Sequence, residues 1–375
     1  MKFVIAPDKF KDSLTGHEFC EAAESGIQKV FPDAVILKRP LADGGDGTIE
    51  VIRRYLDVAE ISVEVNDPLF RKMEARYLFS EKEKMAFIEM SEASGYKLLV
   101  KEELNCVYTT SLGTGELIVD ALNKGAKELI LGIGGSATND GGMGLASALG
   151  YKFLDGNGNT LIPIGENLHK VKRIEGNNLH KRLDRVTINV ACDVNNPFYG
   201  KNGAAYIYAS QKGASKTEVR LLDDGLMNFA EIIKRKFGID LQNLPGSGAA
   251  GGVGGGARAF LGATLSPGID LIKKMVDFDH SIKGADWIIT GEGCLDAQTL
   301  SGKTMTGIIT SAQKHHIPVA ALCGSVHITP EQQKSFGLSY TTSVLRTIGT
   351  LEDAMANSYE NVEAAAYNFA KVISR

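Results

Sequence analysis

Apolar runs and helical periodicities alternate along the first 65 residues. Phe3 to Ala6 is a short hydrophobic run closed by Pro7, which predicts a buried strand. Thr15 opens a helical stretch to about Val30, and Glu18 three residues on completes a capping-box pattern. Ala34 to Leu37 predicts a second strand, positions 47–55 a helix, and Ile61 to Val65 a third strand. Such alternation predicts a parallel sheet covered on both faces.

From Asp67 the rhythm changes. Glu74 to Phe79 and Met85 to Met90 are successive strand patterns with no helix between them, which predicts an antiparallel or mixed sheet. The middle of the chain adds strands at Glu128 to Ile133, Tyr151 to Leu154 and Val186 to Ala191. Its helices are expected at Gly115 to Asn123, Met143 to Leu149 and Lys216 to Phe237. The glycine tract from Gly246 to Ala257 is too apolar for a linker and reads as a close-packed turn feeding a helix, Ala257 to Gly262. Alternation returns at the end, with strands at Asp286 to Thr290, Pro318 to Leu322 and Tyr340 to Val344. Helices are expected at Lys303 to His315 and Leu351 to Ile373. The fold class is therefore α/β in two domains. A discontinuous Rossmann-like parallel-sheet domain (1–65 plus 283–375) carries a large inserted α/β domain of mixed sheet (66–282), and a cleft between them is the expected site.

Composition narrows the class. The 375 residues are 43% hydrophobic and 23% charged with a net charge of −4, so no basic stripe points to nucleic acid. No run reaches the roughly 18 apolar residues of a membrane span, and the N-terminus is too soon interrupted for a signal peptide. Five scattered cysteines without a C-x-x-C pattern suggest neither disulfides nor zinc and fit small buried residues in a reducing cytoplasm. No histidine is assigned to a metal, and His315-His316 reads as a helix end. The 42 glycines are the unusual feature, and they imply tight turns and close backbone approach.

The densest glycine segment is Gly132 to Gly142, GIGGSATNDGG, between a predicted strand and a predicted helix. Unshielded backbone N–H groups at a helix N-terminus hold phosphate, and Ser136, Thr138, Asn139 and Asp140 could orient a hydroxyl or a metal. Gly132, Gly134 and Ala137 also fit the dinucleotide fingerprint, with Asp155 as the distant acid. The loop runs on through Asn139 to Gly142 where that fold wants helix, and a second match at Gly252, Gly254 and Ala257 has no strand before it. Phosphate binding, a dinucleotide site and a structural turn all stay open on the residues alone.

Carboxylates recur beside glycines after predicted strands: Asp8, then Asp43 and Asp46, then Asp193, then Gly291-Glu292 with Asp296. Ligands bind at the carboxyl ends of strands in open α/β sheets, although a helix N-cap accounts for any one such Asp. Acids plus phosphate-holding glycines suit Mg2+-nucleotide chemistry, with Lys9, Lys11, Lys212 and Lys303 available to offset charge. Ser301 to Thr304 resembles the end of a P-loop, but Ala297 stands where the first glycine belongs.

Eight motifs in order give the chain a resemblance to glycerate kinases of the bacterial class I type. They are Ala6 to Leu14, Ala42 to Thr48, Thr114 to Ile118, Gly132 to Gly142, Cys192 to Phe198, Gln211 to Ala214, Gly248 to Gly252 and Thr290 to Gln298. Lys9, Asp12, Asp46 and Cys294 depart from the usual serine, glycine, glutamate and arginine of that family. The resemblance implies ATP-dependent phosphorylation of D-glycerate with Mg2+, giving 2-phosphoglycerate in preference to the 3-phosphate. Asp193 is then the expected catalytic base, with Asp296 and Asp8 as alternatives and Lys303 beside them. Lys9, Lys11, Ser136 and Asn139 would bind glycerate; Gly134, Gly135, Lys212 and Gly291 the nucleotide; Asp43, Asp46 and Glu292 the metal. Small-molecule substrates are the expected partners, in the cytoplasm, with neither nucleic acid nor membrane. An NAD(P)-dependent oxidoreductase and a catalytically silent sensor are the competing readings.

Overall fold

A computed structural model of the chain describes residues 1–8, 10, 13–42, 48–296 and 304–374. The chain forms two compact units, Met1–Tyr55 with Ile269–Arg375, and Leu56–Gly268. Both are α/β.

Among the described residues, the first unit holds a parallel sheet of five strands. Their order is Tyr340–Ser343, Val319–Cys323, Trp287–Thr290, Lys2–Ile5, Val35–Lys38. The chain runs from Lys2–Ile5 outward to Val35–Lys38 on one side, and its C-terminal strands build outward on the other. Strand order thus reverses between Lys2–Ile5 and Trp287–Thr290, which pair in register at Phe3–Trp287 and Ile5–Ile289. Such a reversal opens a crevice at the carboxyl ends of the two strands.

Helix Gly16–Gln28 begins at the Thr15–Glu18 capping box that the pattern predicts, with the Thr15 side chain accepting from Glu18 N–H. It packs on the terminal helix Ser358–Ile373, where a Cβ on Gly26 would overlap the backbone of that helix. Phe3, Ile5, Phe19, Ile27, Ile289, Leu322 and Phe369 form the core between sheet and helices. The single helix expected from Leu351 to Ile373 is two, Leu351–Ala356 and Ser358–Ile373. Asn357 separates them with a non-helical backbone (φ −102°, ψ 17°), and both its backbone N–H and its side-chain amide donate to Asp353 O.

The second unit contains, among the described residues, a mixed sheet of six strands. Their order is Thr264–Ser266, Thr187–Ala191, Glu128–Gly132, Met85–Glu89, Lys72–Ser80, Ala59–Asn66. The first four run parallel and the last three antiparallel. The change of rhythm after Asp67 predicts the pairing of Lys72–Ser80 with Met85–Glu89, but Ala59–Asn66, expected in the first unit's parallel sheet, is the antiparallel edge strand of this one. Helix Lys216–Phe237 spans the predicted residues between a Ser215–Glu218 capping box and a left-handed Gly238. Helix Leu112–Asn123 starts before the predicted Gly115.

The glycine tract differs most from expectation. The element Ala249–Leu261 opens with a left-handed turn at Ala250, Gly251 and Gly252 (φ 53°, 69° and 89°), so right-handed helix starts at Val253, ahead of the predicted Ala257. The turn lets its backbone lie directly on the loop before Met143. A Cβ on Gly252 would sit 2.9 Å from Gly141 Cα, and one on Gly142 would sit 3.1 Å from Gly256 Cα. No helix among the described residues is long and apolar enough to cross a membrane.

Candidate active site

The residues singled out by sequence fall into two groups, one in each unit. In the first unit, Asp8 and Gly291-Glu292 follow the two strands that flank the reversal of strand order. Asp8 N–H donates to Gly291 O at 3.0 Å, so the two loops leave the sheet together. Thr304 Oγ1 donates to Asp8 Oδ2 at 2.6 Å from the first residue of helix Thr304–Lys314. Leu41 N–H donates to Pro7 O, which carries the chain alongside at the point where Asp43 follows in sequence. Thr290 Oγ1 is buried without a hydrogen-bond partner among the described residues. Asp296 closes the short strand Cys294–Leu295, which pairs with Ser325–Val326. Lys9, Lys11, Asp43, Asp46 and Lys303 lie outside the described residues.

Mg2+ takes oxygen donors and rarely more than one or two protein carboxylates. Asp8 and Glu292, both half-buried at the same sheet end, fit that donor chemistry. Among the described residues no three acids, histidines or cysteines gather as a protein-only metal cage.

In the second unit, Glu128–Gly132 and Thr187–Ala191 are parallel neighbours in register at Gly132–Ala191. The loop of Gly134, Gly135, Ser136 and Asn139 therefore leaves the sheet beside the loop of Asp193. Asp193 is exposed, and its Oδ1 accepts from Gly268 N–H at 3.0 Å. Gly134 and Gly135 are exposed, while Ser136, Thr138, Asn139 and Asp140 are buried. The loop is pinned from behind: Tyr96 N–H donates to Gly135 O and Ala137 N–H to Ser94 O.

One expectation is corrected here. The phosphate reading relied on the helix N-terminus after the loop, but Met143–Ala148 is a short helix already capped by the chain's own anion. The Asp140 carboxylate accepts from Gly142 N–H (3.1 Å), Gly144 N–H (3.0 Å), Ser111 N–H (2.8 Å) and Ser111 Oγ–H (2.7 Å). Burial pushes its pKa up and these donors pull it back. Asp140 is thus neither a metal ligand nor a hydroxyl-orienting group but the residue that holds the loop together. The dinucleotide reading fails for a related reason. The glycines do not run into helix, and Asp155 spends its carboxylate on Asn157 N–H and Asn159 N–H in an exposed turn.

Lys212 is the least foreseeable member. It closes a 3-10 turn, Ser210–Lys212, after the π-helical turn Ala205–Ala209, and its side chain is 5% exposed. Its Nζ donates to Ser136 Oγ at 2.7 Å and to Thr138 O at 2.8 Å. Burial lowers its pKa to about 8, with Cys106 and Asp140 acting the other way. The resemblance assigns Lys212 to the nucleotide and Ser136 to the acid, yet one hydrogen bond joins them. Asn139 is fully buried, and among the described residues neither of its amide atoms nor Thr138 Oγ1 has a hydrogen-bond partner. Buried polar groups left this way cost free energy unless a ligand or water meets them.

A model of the glycerate kinase family matches residues 3–374. The chain belongs to the glycerate kinase family. It is 42% identical to the glycerate 2-kinase of Escherichia coli, over 100% of this chain and 98% of that one. It is equally similar, at 42%, to the glycerate kinase of Halalkalibacterium halodurans, over 99% and 98%. Its structure matches that of a glycerate kinase 2 candidate from Salmonella typhimurium with a TM-score of 0.89 at 42% identity, covering 100% of this chain and 98% of that one. Family membership makes the chain a phosphotransferase and ATP its expected phosphoryl donor. No disulfide joins the five cysteines; Cys20, Cys106 and Cys323 are buried as expected, Cys192 is half-buried, and Cys294 departs from the expectation by being exposed.

Sequence reasoning missed two members of the site. Thr304 was weighed only as the end of a failed P-loop, and nothing local marks it as the partner of Asp8. Ser111 is an unremarkable serine in sequence, and only the fold brings it to Asp140.

Proposed function

We propose that this chain transfers the γ-phosphoryl group of ATP to the 2-hydroxyl of D-glycerate, releasing 2-phospho-D-glycerate and ADP. The observation that carries the reading is the second unit's loop, where a buried lysine, a serine hydroxyl and an unpartnered asparagine amide surround open glycine backbone. That set suits a small anionic hydroxy acid. The name of the Escherichia coli relative supports the 2-position.

In this reading Asp193 accepts the proton of the attacking hydroxyl, with Asp296 and Asp8 as alternatives. Ser136 and Asn139 hold the acid, and Gly134, Gly135 and Gly291 lie along the nucleotide. Lys9, Lys11 and Lys303 offset the charge of carboxylate and phosphates. Glu292, with Asp43 and Asp46, would hold Mg2+, which when bound neutralises phosphate charge. Thr304 keeps one Asp8 oxygen fixed by its hydrogen bond. Positioning and charge stabilisation of this kind carry most of the rate in phosphoryl transfer. The reading includes a cytoplasmic location, supported by the three buried free thiols.

The test is an ATP-dependent assay on D-glycerate and L-glycerate with Mg2+, product resolved by phosphorus NMR. A 2-phosphate is expected, and a 3-phosphate overturns the regiochemistry. D193N should lower kcat at least ~100-fold, the lower range for a lost general base. Turnover within threefold of wild type removes Asp193 from that role.

A further inference from the structure

Lys212 presents an unusual arrangement of charge. Its ammonium is buried, and among the described residues no carboxylate oxygen lies within 4.0 Å of it. Asp140 attracts it through space but commits its own oxygens to Ser111, Gly142 and Gly144. A buried cation with no ion-pair partner is costly, and a protein that keeps one has a use for the charge.

The hydrogen bonding shows where the charge is directed. Ser136 Oγ accepts from Lys212 Nζ, so the serine's own hydroxyl hydrogen must point elsewhere, and among the described residues it meets no acceptor. Ser136 adjoins exposed Gly135 and Gly134; a Cβ added to Gly134 would meet nothing within 4 Å, and one on Gly135 would meet only Ser91 Cβ, at 3.3 Å. The open backbone nearest the hydroxyl is thus at Gly134. Asn139, buried with a free amide, lies three residues on in the same loop.

We propose that Lys212 is a positioning residue for the acceptor acid, orienting and polarising the Ser136 hydroxyl so that it donates to the substrate carboxylate. The inference rests on the glycerate reading and adds to it the subsite for the carboxylate. Charge count selects the carboxylate over nucleotide phosphates. One ammonium, partly offset by Asp140 and acting through a neutral hydroxyl, matches a singly charged anion. A polyphosphate carries several charges and needs more cations than this loop supplies.

The experiment measures KM for D-glycerate and for ATP, with kcat, in wild type, S136A, K212Q and the double variant from pH 6.5 to 9.5. S136A should raise KM for glycerate ~10–100-fold, the range for a lost hydrogen bond to a charged group, and leave KM for ATP within about threefold. K212Q should do the same, and the double variant should be no worse than the single ones, because the lysine acts through the serine. In wild type, KM for glycerate should rise above pH ~8 as the ammonium loses its proton, a rise absent from S136A. Of the groups facing Lys212, Cys106 stays a neutral thiol there, its pKa pushed up to about 11 by burial, and Asp140 is held in its four hydrogen bonds. Glu218 faces Cys106 and stays ionised, its pKa lowered by Ser215 and Asn105.

An equal rise in KM for ATP overturns the proposal in favour of a phosphate site. So do losses that multiply in the double variant, or KM values unchanged in S136A. If K212Q does not fold, S136A and the wild-type pH profile decide. Wild type that fails to turn over D-glycerate refutes the functional reading itself, whereas normal turnover with an indifferent S136A refutes this inference alone.

Discussion

Asp140 provides the sharpest structural test of the glycine loop. Among the described residues its carboxylate is the only acceptor for the backbone N–H groups of Ser111, Gly142 and Gly144, all in fully buried surroundings. D140A leaves those three donors, and the Ser111 hydroxyl, without an acceptor. An unsatisfied buried donor costs about 1–3 kcal/mol, and a water entering the vacated space recovers part of it. A net loss of about 4 kcal/mol follows, well beyond an ordinary substitution. D140N is milder. Its carbonyl oxygen can take the Oδ2 position and keep three bonds, while its NH2 then faces the Gly142 N–H, for a cost of about 2 kcal/mol. Hydrogen exchange by mass spectrometry on peptides spanning 108–116 and 138–148 reads the opening directly. D140A should accelerate exchange of these amides ~1000-fold and D140N ~30-fold, at 1.4 kcal/mol per decade. Exchange in D140A within threefold of wild type would refute the claim that this carboxylate holds the loop.

Gly134 separates function from folding: nothing lies within 4 Å of an added Cβ, so G134A should leave the urea midpoint within ~0.5 kcal/mol of wild type while cutting kcat/KM at least ~10-fold. Unchanged kcat/KM would show that no substrate lies over this glycine. Lys212 should leave a signature in stability. Its pKa falls from 10.5 unfolded to about 8 folded, so between those values the unfolded chain binds more protons and stability rises with pH. The destabilisation is fully present below pH ~8 and relieved by ~10.5, a span of about 3 kcal/mol, and urea titrations of K212M should lack that slope. Equal slopes in the two proteins would mean that the folded amine titrates normally. T304V removes the hydroxyl that fixes Asp8 and should lower kcat ~10-fold with the thermal midpoint nearly kept; unchanged kcat would take Asp8 out of the reacting set.

Much of the fold was legible because its rules are local. A capping box needs residues three apart, and Thr15–Glu18 and Ser215–Glu218 both form as written. A parallel sheet announces itself by alternation, and the hairpin of Lys72–Ser80 with Met85–Glu89 by its absence. Asn357 was harder, since one residue leaving helical φ/ψ splits a helix whose periodicity runs on. The glycine tract was misplaced because its turn is set by what lies against it. Ala250 to Gly252 turn left-handed so that bare backbone meets Gly141, a partner more than a hundred residues earlier.

The site divides along the same line. Sequence alone determined the candidate chemistry: acids and glycines after strands, and a loop of serine, asparagine and aspartate between strand and helix. Tertiary structure decided which of these groups meet. The bond from Lys212 to Ser136 spans 76 positions, that from Thr304 to Asp8 spans 296, and Asp140 finds Ser111 across 29. No local pattern encodes such pairs, because a hydrogen bond is satisfied by proximity in space, which the sheet order and the packing of the whole unit impose.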